Sequence, residues 1–326
     1  MSRPIAGMSD ELLKVRNLRV QFGAFPAVQD VTFDVRQGET LGLVGESGSG
    51  KSTLARAIVR LTPVTSGHVI FNGEDLLSCA PSELRRRRRD LQIVFQDPLA
   101  SLNPRMSVGD ALAEPLKIYE PSLSPRARGA RIAEMLERVG LPAEMARRHP
   151  HQFSGGQCQR IGIARAMMLR PKLLVCDEPV SSLDVSIQGQ IVNLLVDLQR
   201  EFGLAMLFIS HNLAVVRHLS HRVLVIYRGR LVEVADRDAL FAAPAHPYTR
   251  ALLAAVPDPT GPPRARAVPG ALGDDPVAAA WGAAGCAFHD RCAYGKDSCL
   301  LAVPPLEEVA SRHFAACHRW REVVYS

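Results

Sequence analysis

Gly45-Glu46-Ser47-Gly48-Ser49-Gly50-Lys51-Ser52-Thr53 fits the pattern G-x-x-x-x-G-K-[ST] without a mismatch. Before it, Glu39-Thr40-Leu41-Gly42-Leu43-Val44 is a short apolar run rich in strand formers. After it, Ser52 to Arg60 carries apolar residues at helical spacing. The local order is therefore strand, glycine turn, helix. The glycines let the backbone curl so that successive N–H groups point inward at phosphate, and the helix N-terminus adds its partial positive charge. In that setting Lys51 reaches the β- and γ-phosphates of a nucleotide and the Ser52 hydroxyl ligates magnesium. Residues Gly45 through Thr53 are thus the candidate nucleotide-binding loop.

The rest of the chain sets the context of this loop. Its 326 residues, 47% of them hydrophobic, suffice for one large or two moderate globular domains. The longest apolar stretch, Pro276 to Phe288, falls short of the roughly 20 residues that span a bilayer. Met1 to Asp10 lacks a charged-then-apolar leader. A cytosolic protein, held at a membrane only by partners, is expected. The net charge of +6 rests largely on arginine, and its one dense run is Arg85 to Arg89. No aromatic residues interleave to stack bases, so the run reads as a solvated helix face, with no nucleic-acid partner.

Along the chain, Leu12 to Val20 and Val28 to Val35 alternate apolar and polar residues like half-buried antiparallel strands. Phe22, in the turn between them, either stacks on adenine or packs as an ordinary core ring. Leu91 to Phe95 is a buried-type strand that places Gln96 at its end. There an amide can orient water, contact magnesium, or simply cap the backbone. From Pro98 to Arg170 the spacing turns helical. Pro171 to Pro179 is an apolar strand ending in Asp177 and Glu178, and strand C-termini are where ligands sit in parallel α/β sheets. Asp177 would hold magnesium through water, and Glu178 would polarise the attacking water. His211 stands past the strand Ala205 to Ser210, within reach of a γ-phosphate or that water. Strands alternating with helices imply an α/β fold with a largely parallel sheet.

Phe153-Ser154-Gly155-Gly156-Gln157 opens a helix and supplies a second anion-binding N-terminus. With the glycine loop and the Asp177-Glu178 strand, it resembles the ABC-transporter ATPases. The resemblance implies a P-loop NTPase with a RecA-like core, an antiparallel β subdomain and a helical subdomain over about 97–170. It further implies head-to-tail pairing, with ATP between the loop of one subunit and Ser154, Gly155, Gly156 and Gln157 of the other. Ser181-Ser182-Leu183-Asp184 is similar to the family's D-loop, with Asp184 linking the two sites, and Gln96 and His211 match its Q-loop and switch histidine. Phe95-Gln96-Asp97-Pro98, Ser101 to Met106, Glu114-Pro115-Leu116, Ser186-Ile187-Gln188 and Ala245 to Arg250 resemble the ATP-binding subunits of dipeptide, oligopeptide and nickel importers. Two departures, Phe153 for the commoner Leu and Cys158 at a usually polar position, lie away from phosphate.

Pro257 to Pro263 has the composition of a linker, so the expected boundaries are an ATPase domain over 10–254 and an extension over 255–326. Cys286, Cys292, Cys299 and Cys317 crowd the extension with a C-x5-C-x6-C-x17-C spacing unlike paired zinc modules. Clustered thiols in a reducing compartment suggest metal, and thiolates suit zinc or an iron–sulfur cluster. The resemblance implies a [4Fe-4S] cluster; His289, His313 and His318 are the spare ligands for zinc. The implied cofactors are ATP and Mg2+ beside that cluster. The implied partners are a second ATPase subunit in a heterodimer, two transmembrane permease subunits and an extracytoplasmic binding protein. The expected activity is ATP hydrolysis driving import of di- or oligopeptides at the cytoplasmic face of the membrane. Nickel or another small solute is the alternative cargo. A soluble ABC ATPase of DNA repair or translation is the rival class, disfavoured by the compact gap between the loop and Ser154 and by a single ATPase unit.

Overall fold

The computed structural model describes residues 11–255 and 284–324. Met1 to Asp10, the linker at Pro257 to Pro263 and most of the apolar run from Pro276 lie outside the described residues. Strands β1 (Glu11–Phe22), β2 (Phe25–Arg36) and β3 (Thr40–Val44) lead to helix α1 (Lys51–Ile58). Then come β4 (Ser66–Phe71), β5 (Glu74–Asp75), α2 (Pro81–Arg87) and β6 (Leu91–Val94). The helical stretch holds α3 (Val108–Tyr119), α4 (Pro125–Arg138) and α5 (Gly155–Met167). It is followed by β7 (Leu173–Asp177), α6 (Val185–Phe202), β8 (Ala205–Ile209) and α7 (Leu213–Leu219). Strands β9 (Arg222–Tyr227) and β10 (Arg230–Asp236) precede α8 (Arg237–Ala242) and α9 (Pro247–Ala254). The extension adds β11 (Glu307–Ala310), β12 (His313–Ala315) and α10 (Trp320–Val324).

The chain forms two compact units. The first takes in the described part of Met1–Lys14, with Asp34–Glu39 and Val69–Phe208. Here β8, β7 and β6 lie side by side, β6 running parallel to β7 with Leu91 opposite Leu173 and Val94 opposite Cys176. All five residues of β7 are buried, which explains its unbroken apolar reading. Helix α5 packs on β6, and its buried residues include Ile161, Ile163 and Met167. Each fully buried aliphatic side chain of this kind contributes about 1.5–3 kcal/mol. Helix α6 ends where Gly203, at φ +60°, takes the left-handed cap that glycine adopts without steric cost. The arginine run falls on and just after α2, where Arg87 pairs with Glu74 and Arg89 with Glu120.

The second unit takes in Val15–Phe33, Thr40–His68 and Ile209–Ser326 as far as these are described. Its strands run in the order β11-β12-β10-β9-β3. Strand β3 is parallel to β9, with Leu43 opposite Leu224, and β9 turns through Arg228-Gly229 into antiparallel β10. Strand β12 adds to the far side of β10, pairing Glu233 with Ala315 and Ala235 with His313. The extension is thus built into this sheet by backbone pairing. Helix α7 packs on β3 at Gly42, where a Cβ would stand 2.6 Å from Val216 Cγ1. Parallel and antiparallel strands occur together in this mixed α/β protein.

Candidate active site

The second unit holds the glycine loop. Strand β3 delivers the chain at Val44, and α1 begins at Lys51 with Gly50 as its N-cap at φ +101°. A Cβ on Gly50 would meet Ala27 O at 2.4 Å, and one on Gly45 would meet Ile226 O at 2.3 Å. These two positions therefore exclude any side chain. Lys51 is buried, its Nζ donating to Gly45 O at 2.9 Å and Glu46 O at 2.8 Å. The ammonium is held where a phosphate would replace carbonyls as its partner. The Ser49 hydroxyl is buried with no hydrogen-bond partner among the described residues. A glycine-walled cradle, a buried ammonium and an unsatisfied hydroxyl fit a polyphosphate.

Two residues outside the loop fix its second position. The Tyr248 hydroxyl accepts the Glu46 N–H at 2.8 Å. Arg291 donates through Nη2 to Glu46 Oε1 at 2.8 Å and through Nη1 to Oε2 at 3.0 Å. Neither contact could be read from the sequence, because the two residues lie 202 and 245 positions from Glu46. The same unit carries Phe22 at the end of β1 and His211 just past β8. The Phe22 ring is 51% exposed, which removes the core-ring reading and leaves a free aromatic face.

The first unit holds the acids and the S-G-G-Q helix. Asp177 is fully buried at the end of β7, and Glu178 follows it in the left-handed region at φ +47°. A non-glycine residue there is strained, and such strain gathers where surrounding structure fixes a side chain for function. Burial and the adjacent Asp177 push the Cys176 thiol far up, so it stays protonated and behaves as a small apolar group. Gln96 is exposed beyond the end of β6, and Asp184 is the N-cap residue of α6. Ser154 caps α5 reciprocally with Gln157: its Oγ accepts the Gln157 N–H at 3.3 Å, and Gln157 Oε1 accepts the Ser154 N–H at 3.0 Å. Gly156 packs so closely that a Cβ would stand 2.6 Å from Ile187 Cγ2. Cys158 is buried, its thiol facing Pro150 O, which explains why an apolar-sized group replaces a polar one there.

In the extension, Cys286, Cys292, Cys299 and Cys317 line one small cavity, with His289 and His318 beside them. Burial raises Cys286 and Cys292, and it pushes Cys317 up to about 12, so these thiols are neutral at physiological pH. The donor chemistry suits a soft metal, but no group of three or more His, Cys, Asp or Glu among the described residues is arranged to hold a metal ion. His313 is not a spare ligand: its Nε2 stands 2.7 Å from Glu233 Oε1 in the β10–β12 pairing.

A phosphate cradle on one unit, with an acid-tipped strand and an S-G-G-Q helix on the other, defines an ABC-type ATPase. The family model described as ABC transporter matches residues 28–181, and that of the oligopeptide/dipeptide transporter C-terminal region matches 232–299. The chain is 51% identical to a "probable peptide ABC transporter ATP-binding protein" of Sinorhizobium fredii, over 95% of this chain and 90% of that one. It is 48% identical to the oligopeptide transport ATP-binding protein OppF of Escherichia coli, over 94% and 95% of the two chains. Among solved structures, cbiO1 of Clostridium perfringens, part of the ABC transporter complex cbiONQ, superposes with a TM-score of 0.65 at 27% identity. That match covers 72% of this chain and 92% of cbiO1. An ATP-binding cassette dimer in a post-hydrolysis state with ADP and phosphate matches at TM-score 0.64 and 29% identity, over 69% and 98%. The chain belongs to the ATP-binding subunits of peptide ABC transporters and is an ATP-hydrolysing transport subunit.

Proposed function

We propose that this subunit powers import of di- or oligopeptides, bound peripherally at the cytoplasmic face of a membrane. The observation that carries this reading is 48% identity to an oligopeptide transport ATP-binding protein, sustained over 94% of the chain. No helix among the described residues is long and apolar enough to cross a membrane, in keeping with separate membrane subunits. The working assembly contains a second, non-identical ATPase subunit, two transmembrane permeases and an extracytoplasmic binding protein. Purifying that assembly and identifying the binding protein's ligand tests the reading. Peptides are expected; nickel or another solute contradicts the cargo, and co-purifying DNA or ribosomes contradicts the transport role.

Within this reading, the N–H groups of Gly45 to Thr53 bind the phosphates, Lys51 pairs with the β/γ-phosphates, and Phe22 stacks on adenine. Magnesium, when bound with ATP, neutralises phosphate charge and would be held by Ser52, Gln96 and, through water, Asp177. Glu178 takes a proton from the attacking water, held in place by its constrained backbone. His211 hydrogen-bonds the γ-phosphate or that water. Ser154, Gly155, Gly156 and Gln157 of the opposing subunit close the site, and Asp184 links one site to the other.

Cys286, Cys292, Cys299 and Cys317 are assigned to a [4Fe-4S] cluster, with zinc as the competing metal. Four thiols around one cavity support this assignment. As ligands these cysteines would be thiolates, so binding the metal would release protons. Iron with matching sulfide in anaerobically purified protein is the expected analysis; stoichiometric zinc, or no metal, contradicts the cluster.

A further inference from the structure

Arg291 sits next to Cys292 in the extension, yet its guanidinium closes on the second residue of the phosphate loop. The Glu46 carboxylate takes both of its terminal nitrogens, at 2.8 and 3.0 Å. The guanidinium also lies 5.7 Å from the ring centroids of Tyr227 and Phe288. Tyr227 and Phe288 in turn meet edge to face, and Tyr248 packs against both. The Arg291 side chain is 11% exposed and that of Glu46 26%, so solvent screens this pair only in part. The peptide it fixes matters, because Gly45 O and Glu46 O are the two carbonyls that hold Lys51 Nζ. A carboxylate on the loop opposes polyphosphate; paired with Arg291 it does not.

We propose that Arg291 is a positioning residue for nucleotide binding: it neutralises and immobilises Glu46, so that the cysteine-rich extension braces the phosphate loop. The inference rests on reading residues 45–53 as the ATP site. No group on Arg291 touches ATP; it acts through Glu46.

The test uses the full chain in its assembled transport complex, measuring KM for ATP and kcat separately at low ionic strength. Arg291→Gln exposes the carboxylate and is expected to raise KM about tenfold, with kcat within about threefold of wild type. Adding Glu46→Gln to that variant removes the uncompensated charge and is expected to bring KM back to within about threefold of wild type. Arg291→Lys keeps the charge but not the fork, and is expected to fall between the two. A purely structural role for Arg291 predicts no rescue by Glu46→Gln. An unchanged KM in Arg291→Gln, or no recovery in the double variant, overturns the proposal. Lys51→Ala separates the two levels of argument. If it leaves ATP binding intact, the ATP-site reading itself fails; if it abolishes binding while Arg291→Gln changes nothing, only the brace fails.

Discussion

Glu233 and His313 meet in the interior, Oε1 to Nε2 at 2.7 Å, where β12 of the extension pairs with β10. Glu233 is completely buried, and its carboxylate also accepts the N–H groups of Ala245 at 2.7 Å and His246 at 2.9 Å. One side chain therefore ties the extension and the start of α9 to the sheet. Glu233→Ala orphans three donors and should cost about 3–5 kcal/mol in denaturant unfolding. His313→Ala leaves the two backbone donors in place and should cost about 1–3 kcal/mol. Equal stabilities for wild type and Glu233→Ala would remove this anchor from the account.

Acid should weaken the same region. Burial lowers the His246 pKa from 6.5 to about 4, against the opposing pull of Glu233. The neutral ring is needed because its Nδ1 accepts the Tyr248 N–H at 3.0 Å as the cap of α9. Between pH 6.5 and 4 the unfolded chain binds a proton that the folded chain excludes, so stability rises with pH across this window. The contribution is complete above pH 6.5 and lost as pH falls toward 4, about 3 kcal/mol in all. His246→Asn supplies a cap that does not titrate. Its urea midpoint should fall less than that of wild type between pH 7 and about 4.5, and a parallel fall in both proteins contradicts the assignment.

Gly50→Ala should damage the phosphate loop. The position requires φ +101°, and the added Cβ would press on a backbone oxygen, Ala27 O, at 2.4 Å. The left-handed conformation alone costs an L-residue about 1–2 kcal/mol, and the contact with fixed backbone adds to it. Loss of stability of about 2 kcal/mol or more, with ATP-analogue binding lost, is the expected result. Wild-type binding by this variant would mean that the glycine cradle does not hold phosphate.

The parts legible in the sequence were those whose geometry is local. The glycine loop, the buried β7 run ending at Asp177 and the helix opened by Ser154 each carry their shape within about a dozen residues. Even there one contact was missed: S-x-x-Q marks a capping box, so Ser154 and Gln157 bond to each other besides facing the helix N-terminus. What stayed hidden was long-range. Arg291 and Tyr248 reach Glu46 across 245 and 202 positions; Tyr248 lies in the stretch Ala245 to Arg250 and Arg291 beside Cys292, but neither neighbourhood points to the glycine loop. Strands β11 and β12 are four and three residues long, too short for an alternating pattern, so their pairing could not be read. His313 lies close to Cys317 in sequence and so reads as a neighbour of the thiols, whereas its partner, Glu233, is 80 positions away.

In the proposed mechanism Glu178 is the base for ATP hydrolysis. The most direct measurement is ATP binding and turnover by the assembled complex carrying Glu178→Gln. Binding should persist, because the glycine loop and Lys51 are untouched, while turnover falls by about 10²–10⁴-fold. Wild-type turnover in this variant would contradict the account.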